Sequence, residues 1–148
     1  MPENSKRRTG GSNKFVLDAY AVLALLEGGE GGALVKNLLM APGNRFFLSV
    51  VNFGEIYYIT LRRKGREAAE KVEHQLRETD NIQIVGVTWE RVKMAAGFKA
   101  VGRISYADCF AAVLAVEKKA PVLTGDREFE RLGDLVAVRW IDGANAVP

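Results

Sequence analysis

Short apolar runs alternate with longer amphipathic ones along this chain, and an acid repeatedly stands where one gives way to the next. Lys14-Phe15-Val16-Leu17 predicts a strand, and residues 19–27, after Asp18, predict a helix that the glycines 28, 29, 31 and 32 punctuate. Leu34, Val35, Leu38 and Leu39 recur at helical spacing until Pro42-Gly43 stops the element. Residues 45–48 predict a second strand. Ser49 then caps a nearly continuous apolar run, 50–61, whose length favours helix over strand. Residues 66–79 form an amphipathic helix with Ala69, Val72 and Leu76 on one side and a solvated charged face on the other. Residues 82–87 predict a third strand by their β-branched content, and Thr88 caps a helix carrying Val92, Ala95 and Ala96. A long helix at 105–119, a strand at 121–123, a short helical turn after Asp126 and a last strand at 136–140 complete the reading.

Strands that alternate with helices imply a mostly parallel sheet covered on both faces, so the expected fold is α/β: a three-layer α/β/α sandwich with four to five strands. A chain of 148 residues suits one domain whose core needs no disulfide or structural metal. Residues 1–14 hold Lys6, Arg7, Arg8 and Lys14 against Glu3 alone, with Gly and Ser between them. They are read as a flexible basic tail, linker in character rather than an RNA-binding arm, ahead of a single domain at 15–148. The formal charge of +3 is compatible with a polyanionic partner without demanding one. The apolar run 15–26 is too short to span a bilayer and Asp18 breaks it, so a cytoplasmic protein with no membrane partner is expected.

The single Cys109 excludes an intramolecular disulfide and a cysteine zinc cage, and the lone His74 leaves no histidine-based triad. Chemistry must therefore rest on carboxylates, hydroxyls and Lys or Arg. Four acids interrupt or directly follow apolar stretches: Asp18, Glu55, Asp108 and Asp126. Helix capping is a sufficient explanation for Asp18 and Asp126 taken singly, and Ser105-x-x-Asp108 imitates a capping box. Asp108, however, lies among Ala107, Cys109, Phe110, Ala111 and Ala112, on a helix apolar nearly all round. A carboxylate buried there needs a cation or donors. Glu55 has no Lys or Arg three or four residues away. Gathered in one cleft, the four would offer hard oxygen ligands without nitrogen or sulfur, which suits Mg²⁺ or Mn²⁺ and phosphodiester hydrolysis. Thr124 and Ser105 are placed to hold a water or phosphate oxygen, and Asn52 to orient Glu55; capping or loop roles explain each of the three equally well.

The succession Val16-Leu17-Asp18, Val51-Asn52-Phe53-Gly54-Glu55-Ile56, Ile104-Ser105-Tyr106-Ala107-Asp108 and Val122-Leu123-Thr124-Gly125-Asp126 resembles the PIN-domain family, and more narrowly the VapC toxins of toxin-antitoxin pairs. The resemblance runs from about Phe15 to Trp140. It implies a Mg²⁺- or Mn²⁺-dependent endoribonuclease whose acid quartet is Asp18, Glu55, Asp108 and Asp126, with Thr124 as the hydroxyl before the last acid. It also implies a homodimer and a small cognate antitoxin that places a basic side chain in the acidic pocket. The aromatic surplus of Phe53, Tyr57 and Tyr58 on one helix offers a surface for such a partner.

An acidic pocket repels RNA, so phosphate contacts must come from cations at its rim. Arg127 and Arg103 adjoin the proposed ligands, and Arg62, with Arg63 and Lys64, supplies general electrostatics; Arg45 and Lys99 are further candidates. Two alternatives remain at this stage. A haloacid-dehalogenase-like phosphohydrolase would use Asp18 but wants an Asp where Tyr20 stands and leaves Glu55 and Asp108 unexplained, and a non-catalytic regulatory module with Asp18 as acceptor lacks the acidic neighbours and late-strand Lys of such modules.

Overall fold

The computed structural model describes residues 13–142, so residues 1–12 of the expected tail lie outside it, while Lys14 opens the first strand. In chain order the elements are β1 (Lys14–Leu17), α1 (Ala19–Glu27), α2 (Glu30–Met40), β2 (Arg45–Ser49), α3 (Val50–Lys64) and α4 (Arg66–Arg77). They continue with β3 (Ile82–Val85), α5 (Trp89–Val101), α6 (Tyr106–Lys118), β4 (Val122–Thr124), a 3-10 stretch (Arg127–Leu135) and β5 (Val138–Trp140). The third strand stops two residues short of the span expected from β-branched content. The last strand begins at Val138, because Val136 is drawn into the core just after the 3-10 stretch.

The five strands pair in the order β3-β2-β1-β4-β5, all parallel. Alternation along each strand sorts side chains to two sides. Val16, Phe47 and Val122 enter one apolar layer with Ala95 of α5 and the buried face of α6. Phe15, Leu17, Phe46, Leu48 and Leu123 enter the other, against α1, α2, α3 and Leu76 of α4. The result is the three-layer α/β/α sandwich expected from the alternation. Among the described residues no helix is long and apolar enough to cross a membrane.

Topology decides where a ligand would sit. From β1 the chain builds outward through β2 to β3 with its helices on one face, then crosses by α5 and α6 on the other face to place β4 on the far side of β1. Right-handed crossovers require this change of face when the direction of growth reverses. The helices therefore diverge above the carboxyl ends of β1 and β4, leaving a crevice there.

Gly32 lets α2 approach α1, and Gly31 lets it approach the chain at Ile141. Gly31 and Gly32 are both buried, and a Cβ on Gly32 would lie under 3.0 Å from the backbone carbonyl of Ala24. Gly32→Ala gains up to about 1 kcal/mol of helix propensity, but the clash is with rigid backbone and overpacking costs about 1–3 kcal/mol. The variant is expected to be less stable than wild type in urea unfolding; equal or greater stability would show that the two helices can part freely.

Candidate active site

Local folding puts each of the four acids at a helix start or one turn inside a helix. Asp18 follows β1 and N-caps α1, its Oδ1 accepting from the Ala21 N–H at 2.9 Å. Asp126 follows β4 and N-caps the 3-10 stretch, its Oδ1 accepting from the Glu128 N–H at 2.9 Å. Asp108 lies in the first turn of α6, where the Ser105 hydroxyl accepts from its N–H at 3.2 Å. Capping explains these positions but uses only part of each carboxylate. The other oxygen of Asp18, Oδ2, is buried without a hydrogen-bond partner.

The remaining acid, Glu55, is half-buried in the second turn of α3. Asn52, one turn earlier and fully buried, donates from Nδ2 to Glu55 Oε1 at 3.2 Å and to the Ala107 carbonyl at 3.1 Å. One amide thus ties the Glu55 helix to the residue before Asp108. Its own Oδ1 is a second buried oxygen without a partner.

Burial and mutual repulsion resist ionisation of this group. Loss of hydration pushes Asp18 from an ordinary 3.8 up to about 7, against the lowering pull of the Ala21 N–H and the nearby Thr124 hydroxyl. The charges of Asp126 and Glu55 push the same way as burial. Thr124 is near enough to be felt at Asp18, yet Oδ2 makes no well-formed hydrogen bond. Asp108 is raised for the same first reason, then by the Asp18 charge and by a hydrogen bond to Asp126 that its protonated form favours. Glu55 is raised by burial, opposed by Asn52 and reinforced by Asp126. The Asp126 charge therefore acts on each of the other three acids.

The structure adds an acid that the sequence reading passed over. Carboxylate oxygens of Asp108, Asp126 and Glu128 lie within 4.8 Å of one another. Glu128 also accepts from the Ser105 N–H at 3.0 Å, clamping the 3-10 stretch to the start of α6. Its signal was the Asp126-x-Glu128 spacing, which places both acids in one helical turn.

Carboxylate oxygens of Asp108, Asp126 and Glu128, with neither nitrogen nor sulfur among them, fit a small hard cation; Asp18, whose Oδ2 is buried without a partner, and Glu55 lie outside this closest group. His74 is exposed on α4, and Cys109 is packed in the core with burial raising its thiol. The hydroxyls of Ser105 and Thr124 serve backbone amides, Thr124 Oγ1 accepting from the Asp126 N–H at 2.9 Å.

The cations are more scattered. The Arg127 guanidinium lies 4.2 Å from the centre of the Trp140 ring, beside Asp126, with Glu130 at 3.8 Å. Arg103 is exposed just before α6, its carbonyl taken by Arg131. Arg62 sits over the Tyr58 ring, two turns and about 10 Å along α3 from Glu55. Lys99 donates to the Ile104 carbonyl at 2.9 Å. Arg45 is displaced from the candidate role: it opens β2 at the amino end of the sheet, over Phe47 and away from the crevice. Phe53 likewise is core, buried beneath Arg77, so only Tyr57 and Tyr58 of the aromatic surplus reach the surface.

Residues 15–135 match the PIN-domain family, and the chain belongs to it. No curated protein sequence matches the chain. Among solved structures, the sarcin-ricin-loop-cleaving toxin VapC20 of Mycobacterium tuberculosis superposes with a TM-score of 0.66 at 18% identity, over 81% of this chain and 95% of that one. The DNA-bound VapBC of Salmonella typhimurium gives 0.68 at 18%, over 87% and 98%. VapBC2 of Rickettsia felis, bound to a fragment of its promoter, gives 0.67 at 15%, over 87% and 99%. These likenesses establish a shared fold. The family match also removes the support for the phosphohydrolase and regulatory-module readings, and Tyr20, where the former wants an acid, is hydrogen-bonded to Asp142.

A raised carboxyl pKa means that the folded chain holds its proton to higher pH than the unfolded chain. Stability is then fully present below about pH 4 and is lost as pH rises through the folded value, about 7 for Asp18. Thermal unfolding of the metal-free protein is expected to show a Tm that falls between pH 5 and 8, and Asp18→Asn should flatten that fall. Mn²⁺ should raise Tm more at pH 8 than at pH 5. A Tm that rises across this range, or a metal effect larger at pH 5, would contradict the charge balance described.

Proposed function

We propose that this chain is a metal-dependent endoribonuclease that hydrolyses RNA phosphodiester bonds, and that it is the toxin of a toxin-antitoxin pair. The observation that carries the reading is the acid group at the sheet's switch point: carboxylate oxygens of Asp108, Asp126 and Glu128 within 4.8 Å of one another, and a buried Asp18 Oδ2 without a hydrogen-bond partner. A buried carboxylate array that resists its own ionisation is poorly suited to structure and well suited to a divalent cation. Asp18, Glu55, Asp108 and Asp126 are the proposed ligands, with Glu128 added from the structure. When bound, Mg²⁺ or Mn²⁺ supplies Lewis-acid polarisation of a phosphate oxygen and activation of water.

The chain's own residues supply position and charge. Asn52 fixes the rotamer of Glu55, and Thr124 fixes the loop that carries Asp126. Asp108 must release its proton to act as a ligand, which ties affinity to pH. Arg127, over the Trp140 ring, and Arg103, before α6, are the proposed phosphate contacts, with Arg62 drawing RNA toward the crevice from further out. By analogy with the VapBC complexes, the cell's control over the activity is a small antitoxin, which would neutralise the pocket with a basic side chain. A homodimer acting in the cytoplasm completes the reading.

Purified protein with Mg²⁺ or Mn²⁺ is expected to cleave RNA, and EDTA to abolish the cleavage. Asp126→Asn should lower the rate by about 10²-fold or more, as loss of a transition-state charge contact does, with circular dichroism unchanged. Equal rates for wild type and variant would sink the role given to Asp126 and point to a contaminating nuclease.

A further inference from the structure

The loop that carries Asp126 is seated by contacts outside the acid group. Gly125, between Thr124 and Asp126, has no positive φ, so its backbone does not require glycine. Space does: a Cβ there would lie under 3.0 Å from Cε1 and Cζ of Tyr20 and from an Asp142 carboxylate oxygen. The Tyr20 ring therefore rests directly on residue 125, and its hydroxyl donates to Asp142 Oδ2, which covers the same face of that residue. Tyr20 lies in the first turn of α1, two residues after Asp18. Asp142 stands two residues past β5, whose neighbouring Ile141 N–H donates to the Thr124 carbonyl at 3.1 Å.

We infer that Tyr20 and Asp142 form a strap across Gly125 that holds the Asp126 loop in register with Asp18, making them positioning residues for the metal site proposed above. The inference rests on that proposal for its functional meaning but not for its geometry. The strap joins the carboxyl ends of β1, β4 and β5, and it meets the chain one residue from Asp126 and two from Asp18. Core packing does not account for it, because Tyr20 is 41% exposed. Helix capping does not account for it either, because Asp18 and Asp126 make their own caps without it. What the strap adds is resistance to spreading where like charges meet. Without it, repulsion between Asp18 and Asp126 can be relieved by moving the loop.

Tyr20→Phe keeps the ring and removes the hydrogen bond, and Gly125→Ala keeps the bond's partners and removes the seat. In metal-free protein, hydrogen exchange across residues 124–128 is expected to quicken in both variants while Tm stays near wild type. Mn²⁺ affinity, measured by calorimetry, should fall about 3- to 10-fold, the scale of one lost hydrogen bond. Asp142→Asn, which keeps an oxygen acceptor for the tyrosine, should stay within about 2-fold of wild type, whereas Asp142→Ala should behave as Tyr20→Phe. Unchanged exchange in Tyr20→Phe and Gly125→Ala overturns the strap, as does quickened exchange with unchanged Mn²⁺ affinity. A wild-type protein that binds no Mn²⁺ while exchange quickens in the variants overturns the nuclease proposal and supports the strap as a loop clamp.

Discussion

The parallel pairing of β1 with β4, Val16 beside Val122 and Leu17 beside Leu123, is the constraint from which the rest of the molecule follows. On one side of it the sheet grows with helices over one face, and on the other with helices over the opposite face. A crevice at the carboxyl ends is the unavoidable product. Asp18 and Asp126 leave adjacent strands into that crevice, and α3 and α6 bring Glu55 and Asp108 to it from either side, coupled through Asn52. Fold and site are one arrangement seen at two scales.

Economy at the level of atoms marks the acids. In both Asp18 and Asp126, Oδ1 satisfies a helix N-terminal amide. The structural explanation of these residues as caps and the chemical explanation as ligands are therefore not rivals: each describes a different oxygen of the same carboxylate. Helix N-termini also bring partial positive charge toward the group, which moderates a repulsion that burial makes severe. The moderation is incomplete, since Asp18 and Asp108 both remain raised. The apolar layers above and below the sheet carry the stability that this region withholds, a division common where function opposes packing.

Much of this was legible in the chain. Periodicity gave the order of elements, because strands and helices here differ plainly in length and in apolar spacing. The four candidate acids stood out because each breaks or directly follows an apolar run, most clearly Asp108 among alanines. Other features depended on tertiary contact. Glu128 is hidden among Arg127, Glu130 and Arg131, where a charged side chain reads as solvated surface, and only its clamp on Ser105 distinguishes it. Arg45 looked useful because it adjoins a strand, but proximity in sequence does not say which end of the sheet a residue occupies. Phe53 looked like partner surface until α4 closed over it with Arg77. Tyr20 was noticed as the wrong residue for another enzyme, and its contact with Asp142 spans nearly the whole described chain.

The same central pairing has a consequence for how the chain comes into being. β1 is made well before β4, with six helices between them in sequence. Contacts so distant along the chain close late, because the entropy of the intervening loop must be overcome before they reward it. During synthesis β1 can pair with β2 early, but its other neighbour does not yet exist, and the acid group has no fixed shape until β4 has emerged. A nascent chain interrupted before β4 carries Asp18, Glu55 and Asp108 without the strand that brings Asp126 beside them, so the acid group is completed only once β4 is made.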